Sequence, residues 1–279
     1  MKRALALLLA SAFLCFPSAT QGRPAAKRIV SLIPSLTEDL FALGAGPNVV
    51  GVSEYSDYPA AAKRLPRVAS FTSVDAERIV ALHPDLIVGD ASQEALSQPL
   101  LRAKLRVELF HEDSVPEIYD VLRKLGDEIG RQAQATALIV QMRTTSARLM
   151  QRVDRSHVPR VFVVLDVAPI YTVGRRSYIT TLIEMAGGRN AADLENAYGQ
   201  YSAEAVLALQ PDIIVVDPAV GFPTVQNREP WRSLRAVQRG NIAVIPDPGI
   251  LLHPSPRYNA GLKWLIDAFA KTKRERLPN

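Results

Sequence analysis

Two glutamates, Glu77 and Glu204, stand 127 residues apart in segments that repeat each other. Ser73–Val88 aligns without a gap on Gln200–Val215, and both carry Ala-Glu, then Ala-Leu, then Pro-Asp before an apolar run. A repeat at so long a period means two similar lobes rather than a solenoid. Each Glu sits near the start of a predicted helix. There a carboxylate either stabilises the helix dipole or holds a charge ready for another purpose. The proline stops each helix and the aspartate opens the turn into a buried strand. Groups for catalysis are sparse. His83, His111, His157 and His253 are far apart and show no metal-ligand spacing. No Gly-x-Ser-x-Gly elbow, His-Glu-x-x-His helix or phosphate-binding glycine loop is present. An exported hydrolase assembled from distant Ser, His and Asp residues is the remote alternative. The expectation is a protein that is not an enzyme and needs no cofactor or resident metal.

The chain has 279 residues, 48% of them hydrophobic and 22% charged, with a net charge of +5. That is ample material for a core. The basic excess is scattered, so no nucleic acid is expected. Lys2-Arg3, the apolar run Ala4–Phe16 and the small or polar residues Ser18–Gly22 read as a secretory signal peptide over residues 1–22. The run is too short for a membrane anchor. Cys15, the single cysteine, falls inside it behind Leu14. Cleavage would leave a thiol-free exported chain, which also excludes thiol catalysis and a disulfide framework.

Beyond residue 22 short apolar strands alternate with helical segments. Arg28–Leu32 reads as a strand, Thr37–Leu43 as a helix ended by Gly44, Val49–Val52 as the next strand, and Leu86–Val88 as another after Pro84. Continuous apolar strands between helices are the pattern of a parallel sheet covered on both faces, hence an α/β fold. Val115–Arg155 is helical with interruptions at Gly126 and Gly130, and the piece after Gly130 predicts one helix of about 25 residues. The expected architecture is two Rossmann-like α/β lobes, residues 23–130 and 157–279. One long rigid helix over 131–156 joins them, and a ligand cleft lies between.

Four stretches carry a family resemblance: Arg28–Glu38, Val50–Pro59, Ala76–Asp85 and Ser255–Arg257. With the repeat and the central helix, they make the chain similar to the helical-backbone (class III) periplasmic substrate-binding proteins of ABC importers, nearest to the cobalamin-binding members. The likeness covers about Lys27–Ala270. It implies a soluble periplasmic monomer that hands a ligand to a permease and its ATPase. One acidic residue on each lobe, here Glu77 and Glu204, would dock onto transporter arginines. It implies ligand contacts from Tyr55, Phe71, Tyr171 and Tyr198, from the loop Gly249-Ile250-Leu251-Leu252-His253, and from Arg257. Phe71 and Tyr198, each six residues before a repeated Glu, replace a facing pair of tryptophans. The loop departs from the family's Asp-Trp-Phe-Glu-Arg, and its His253 is either a ligand to the cargo's metal or a plain loop residue. The implied ligand is cobalamin or a related corrinoid. Haem or a ferric siderophore is the alternative, although Val68–Thr72 lacks the tyrosine of many haem-binding members. The basic residues available for a siderophore's negative charge are Arg175, Arg176 and Arg257. Arg257 pairs with a ligand anion or with a neighbouring Asp, and both readings stay open on the sequence.

Overall fold

A computed structural model describes residues 24–272; the expected signal peptide and Cys15 lie outside the described residues. The chain runs β1 (Ile29–Ser31), α1 (Pro34–Ala42), β2 (Val49–Ser53), β3 (Arg67–Ala69), α2 (Ala76–Ala81), β4 (Leu86–Asp90), α3 (Glu94–Arg102) and β5 (Val107–Phe110). Then come α4 (Val115–Glu128) and α5 (Gln132–Met150). The second lobe follows as β6 (Arg160–Val164), β7 (Asp166–Val167), β8 (Ile170–Val173), α6 (Tyr178–Met185), β9 (Arg189–Asn190), β10 (Tyr198–Gln200) and α7 (Ala203–Leu209). It ends with β11 (Ile213–Val216), α8 (Phe222–Asn227), α9 (Arg235–Gln238), β12 (Ile242–Val244) and α10 (Tyr258–Ala270).

The first lobe is a parallel sheet ordered β3-β2-β1-β4-β5, and the second holds a parallel sheet ordered β12-β11-β6-β9. Their strands alternate between two cores, as a period of two requires. Ile29, Leu86, Val88, Val161, Val163, Ile213 and Val215 enter one cluster that runs through both lobes. Val30 and Ile87 face a separate cluster under α2 and α3, and Phe162, Val164, Ile214 and Val216 face another under α7. The expected α/β fold of two lobes is therefore observed. The second lobe adds an antiparallel sheet, β10-β8-β7, which the strand-helix alternation did not announce.

The repeat has a firmer cause than turn chemistry. Asp85 accepts the backbone N–H groups of Lys27 and Arg28 at 2.9–3.1 Å, and Asp212 accepts that of Arg160 at 2.8 Å. Each aspartate thus clamps the start of the neighbouring parallel strand. In return Arg28 donates to the carbonyls of Leu82 and His83, and Arg160 to that of Leu209. His83 and Gln210, 127 residues apart, both take the left-handed backbone, at φ 47° and 41°.

α5 is 19 residues long, shorter than the 131–156 expected. An Asx turn, in which Asp154 accepts the N–H of Ser156, follows its last turn. Gly126, read as an interruption, lies inside α4. A side chain there would sit 2.7 Å from Cβ of Ala135, so the glycine lets α4 and α5 pack closely. α10 returns from the second lobe onto α5, so α5 is not the only tie between lobes. The buried Tyr258 hydroxyl lies 2.7 Å from both Tyr119 of α4 and Ser146 of α5.

Candidate functional site: a cleft between the lobes

A cavity of about 220 Å³ opens between the lobes at the carboxyl ends of the parallel strands, where open α/β sheets place their ligands. Phe71 supplies one wall from the first lobe and Tyr198 another from β10 of the second. Both project into water, at 67% and 39% exposure. Tyr55 stacks on Phe71 with ring centroids 5.3 Å apart and planes 24° off parallel, making a two-ring shelf on the first lobe. Leu252, His253 and Pro254 close the cavity from the second lobe. Tyr171 lies on β8, two residues from the partner of Tyr198, half-exposed and outside the cavity wall.

The floor is acidic. Asp90 ends β4, and Glu112 and Asp113 follow β5. Glu112 is buried, with Oε2 accepting from Ser35 at 2.5 Å and Oε1 without a partner. Burial above all, with the charges of Asp90, Asp113 and Glu38 in support, pushes its carboxyl up to about 8. Beneath it Asp39 is wholly buried with both oxygens unpartnered. Burial first, and then the neighbouring Glu112 and Glu38, raise its carboxyl well above the ordinary range. Asp113 is also raised, by burial and by Glu117 and Asp90. Among the described residues no lysine or arginine lines the cavity.

Several of the expected ligand contacts are engaged within the protein itself. Arg257 donates to Glu38 at 3.2 Å and to Asp247, and its guanidinium lies 3.9 Å over the ring of Tyr58. Glu38 is 3% exposed in its side chain and also accepts from Ser255 at 2.5 Å and His253 Nδ1 at 2.9 Å. This group joins α1 of the first lobe to the segment before α10, so Arg257 ties the lobes together instead of facing the cleft. Gly249 serves the same group: a side chain there would meet the Arg257 guanidinium at 2.2 Å. Leu251 is fully buried, and the partly buried Ile250 packs beside it against the shared core, outside the cavity wall. Tyr178 donates to the carbonyls of Leu251 and His253 and pins the loop from below. Of the five loop residues, Leu252 and His253 reach the cavity. Arg175 and Arg176 pair with Asp193 and Glu195 away from it.

Glu77 and Glu204 are exposed in the first turns of α2 and α7. The helix N-caps beside them are other residues. Asp75 accepts the N–H of Arg78 at 3.0 Å, and Ser202 that of Ala205 at 3.1 Å. Neither glutamate forms a salt bridge among the described residues. The Glu204 backbone N–H and the Ser202 hydroxyl hold the Glu204 carboxyl below its ordinary value.

Sequence reasoning passed over Glu38, Asp90, Glu112 and Asp113. Position at a strand's carboxyl end would have found the last three. Glu38 gave no signal, since its partners lie 215 to 219 residues away. Among the described residues no group of three His, Cys, Asp or Glu is placed to hold a metal ion, and no helix is long and apolar enough to cross a membrane.

Comparison with known proteins agrees with this architecture. The vitamin B12-binding protein of Yersinia pestis (strain Pestoides F) is 33% identical over 276 residues, covering 89% of this chain and 95% of its own. The crystal structure of the periplasmic vitamin B12-binding protein BtuF of Vibrio cholerae superposes with a TM-score of 0.79 at 28% identity, over 90% of this chain and 99% of that one. A periplasmic heme-binding protein from Pseudomonas aeruginosa superposes as well, with a TM-score of 0.80 at 28% identity over 89% and 94%. Residues 29–248 match the family described as periplasmic binding protein. With that match and these relatives, the resemblance read from the sequence holds, and the chain is a member of the periplasmic binding protein family, whose members serve ABC importers.

Proposed function

We propose that this protein captures cobalamin or a related corrinoid in the interlobe cleft and delivers it to an inner-membrane ABC transporter. The observation that carries the ligand class is the cavity's charge. Its walls are aromatic and aliphatic, and its floor holds Asp90, Glu112 and Asp113. Haem carries two propionates and ferric siderophores are commonly anionic, so each would bring negative charge against Asp90 and Asp113, with no lysine or arginine among the described residues lining the cavity to offset it. A corrinoid presents neutral amides at its rim, which donate hydrogen bonds to carboxylates. The cavity is smaller than an ordinary ligand pocket and serves as a floor. A flat macrocycle would stand above it against the exposed rings of Phe71 and Tyr198.

Delivery rests on Glu77 and Glu204. They are exposed, equivalent in the repeat and without an ion pair among the described residues. Each offers a charge to a cation on the membrane subunits, giving orientation and steering more than affinity. The tie through Glu38 and Tyr258, added to α5, makes for small lobe movements on binding.

Calorimetric titration of the exported chain with cyanocobalamin, hemin and a ferric hydroxamate in parallel tests the ligand class. Saturable one-to-one binding of cyanocobalamin at about micromolar affinity or tighter, with neither iron compound bound, is the expected result. Preferential binding of hemin or the hydroxamate would overturn it.

A further inference from the structure

We propose that His253, through Nε2, is an axial ligand to the metal at the centre of the macrocycle held in the cleft. The inference deepens the corrinoid reading and rests on it. Four observations carry it. First, the partner of Nδ1 sets the ring's tautomer. Glu38 Oε1 accepts from the Arg257 guanidinium at 3.2 Å and Oε2 from the Ser255 hydroxyl at 2.5 Å, so the carboxylate acts as acceptor throughout and the His253 contact at 2.9 Å is a donation from Nδ1–H. In the tautomer that makes this contact as a neutral ring, the lone pair lies on Nε2. Second, Nε2 has no hydrogen-bond partner among the described residues, while the side chain is 22% exposed and forms part of the cavity wall. Third, the ring is held in place. Glu38 is buried, and the carbonyl of His253 accepts from Tyr178 at 3.1 Å. A buried carboxylate behind a histidine is the arrangement that orients metal-ligating imidazoles and raises their basicity. Fourth, no lysine or arginine among the described residues lines the cavity, so no fixed positive charge there opposes a metal cation.

The step is a ligand exchange without redox change. Water leaves the axial position of the metal as a neutral molecule, the Nε2 lone pair forms the new dative bond, and the Nδ1 proton stays shared with Glu38. Imidazole suits cobalt and iron alike. The bond forms with aquacobalamin, whose axial water exchanges, and is blocked in cyanocobalamin, whose cyanide does not leave.

The bland alternative is that His253 only helps tie the lobes. His253→Asn separates the two roles, because its amide nitrogen replaces Nδ1 as the donor to Glu38 while nothing replaces Nε2. Visible spectra and affinities are recorded for wild type and H253N with aquacobalamin and cyanocobalamin, alongside thermal unfolding. The expected result is a band shift on aquacobalamin in wild type that H253N lacks, with aquacobalamin affinity in H253N lower by about tenfold or more. Cyanocobalamin affinity should fall by less than aquacobalamin affinity, and the unfolding midpoint should be nearly the same in both. Corrinoid bound with no shift, or with a shift that survives in H253N, would overturn the proposal. If neither corrinoid binds, the ligand class has failed and hemin decides. An H253N-sensitive Soret shift would uphold the axial role on a different macrocycle, and its absence would end it.

Discussion

Glu112 gives the cleft a measurable pH signature. Its folded carboxyl is raised from 4.5 to about 8, chiefly by burial. The folded value exceeds the unfolded one, so the native chain holds a proton that the unfolded chain releases. Its contribution to stability is full below pH 4.5 and is lost as pH rises towards 8. Each pH unit within that window removes about 1.4 kcal/mol, so between pH 5.5 and 7.5 this group alone accounts for a loss on the order of 2–3 kcal/mol. Asp39 lies in the same buried cluster and is shifted in the same direction, so it adds to the slope. Glu112→Gln keeps the shape and removes the titration. Urea unfolding of wild type and E112Q at several pH values across the window is the assay. The variant should be more stable than wild type at pH 7.5 by about 3–4 kcal/mol. Near pH 4.5 the two should converge, leaving the variant with the slope due to Asp39. Equal slopes for the two proteins would refute the buried, protonated Glu112.

Three other outcomes test the division of labour between residues. Phe71→Ala combined with Tyr198→Ala should weaken corrinoid binding by about 1–3 kcal/mol, read by calorimetry; unchanged affinity would move the pocket. Glu77→Ala with Glu204→Ala should leave ligand affinity unchanged while removing stimulation of the transporter ATPase in proteoliposomes, and loss of ligand binding would break the assignment. Arg257→Ala leaves the buried Glu38 with only Ser255 and His253, and should cost about 2–4 kcal/mol in urea unfolding. A loss of affinity without that destabilisation would return Arg257 to the ligand.

The fold was legible where the cause is local. Continuous apolar strands, Gly44 at its left-handed helix end (φ 79°) and the Pro-Asp of the repeat each carry a near-neighbour reason. The antiparallel sheet was not, because β7 has two residues and β10 three, too few to show a period. α1 starts at Pro34, ahead of the Thr37 expected, because proline at the first helical position costs no hydrogen bond. The repeat singled out Glu77 and Glu204 by symmetry, and Phe71 and Tyr198 followed from them. The loop Gly249–His253 divides: Leu252 and His253 line the cavity, while Gly249 and Leu251 are held by Arg257 and Tyr178, partners that one sequence does not reveal. A glycine required by an arginine eight positions onward, against a glutamate of the other lobe, has no signature in one sequence.

The central claim is that a corrinoid stands between Phe71 and Tyr198 over a carboxyl floor. A crystal structure of the chain grown with cyanocobalamin tests it most directly. The account predicts the corrin plane between those two rings, with amides of its rim directed at Asp90, Glu112 or Asp113. A ligand seated away from the Phe71–Tyr198 pair, or a cleft left empty at saturating cyanocobalamin, would contradict it.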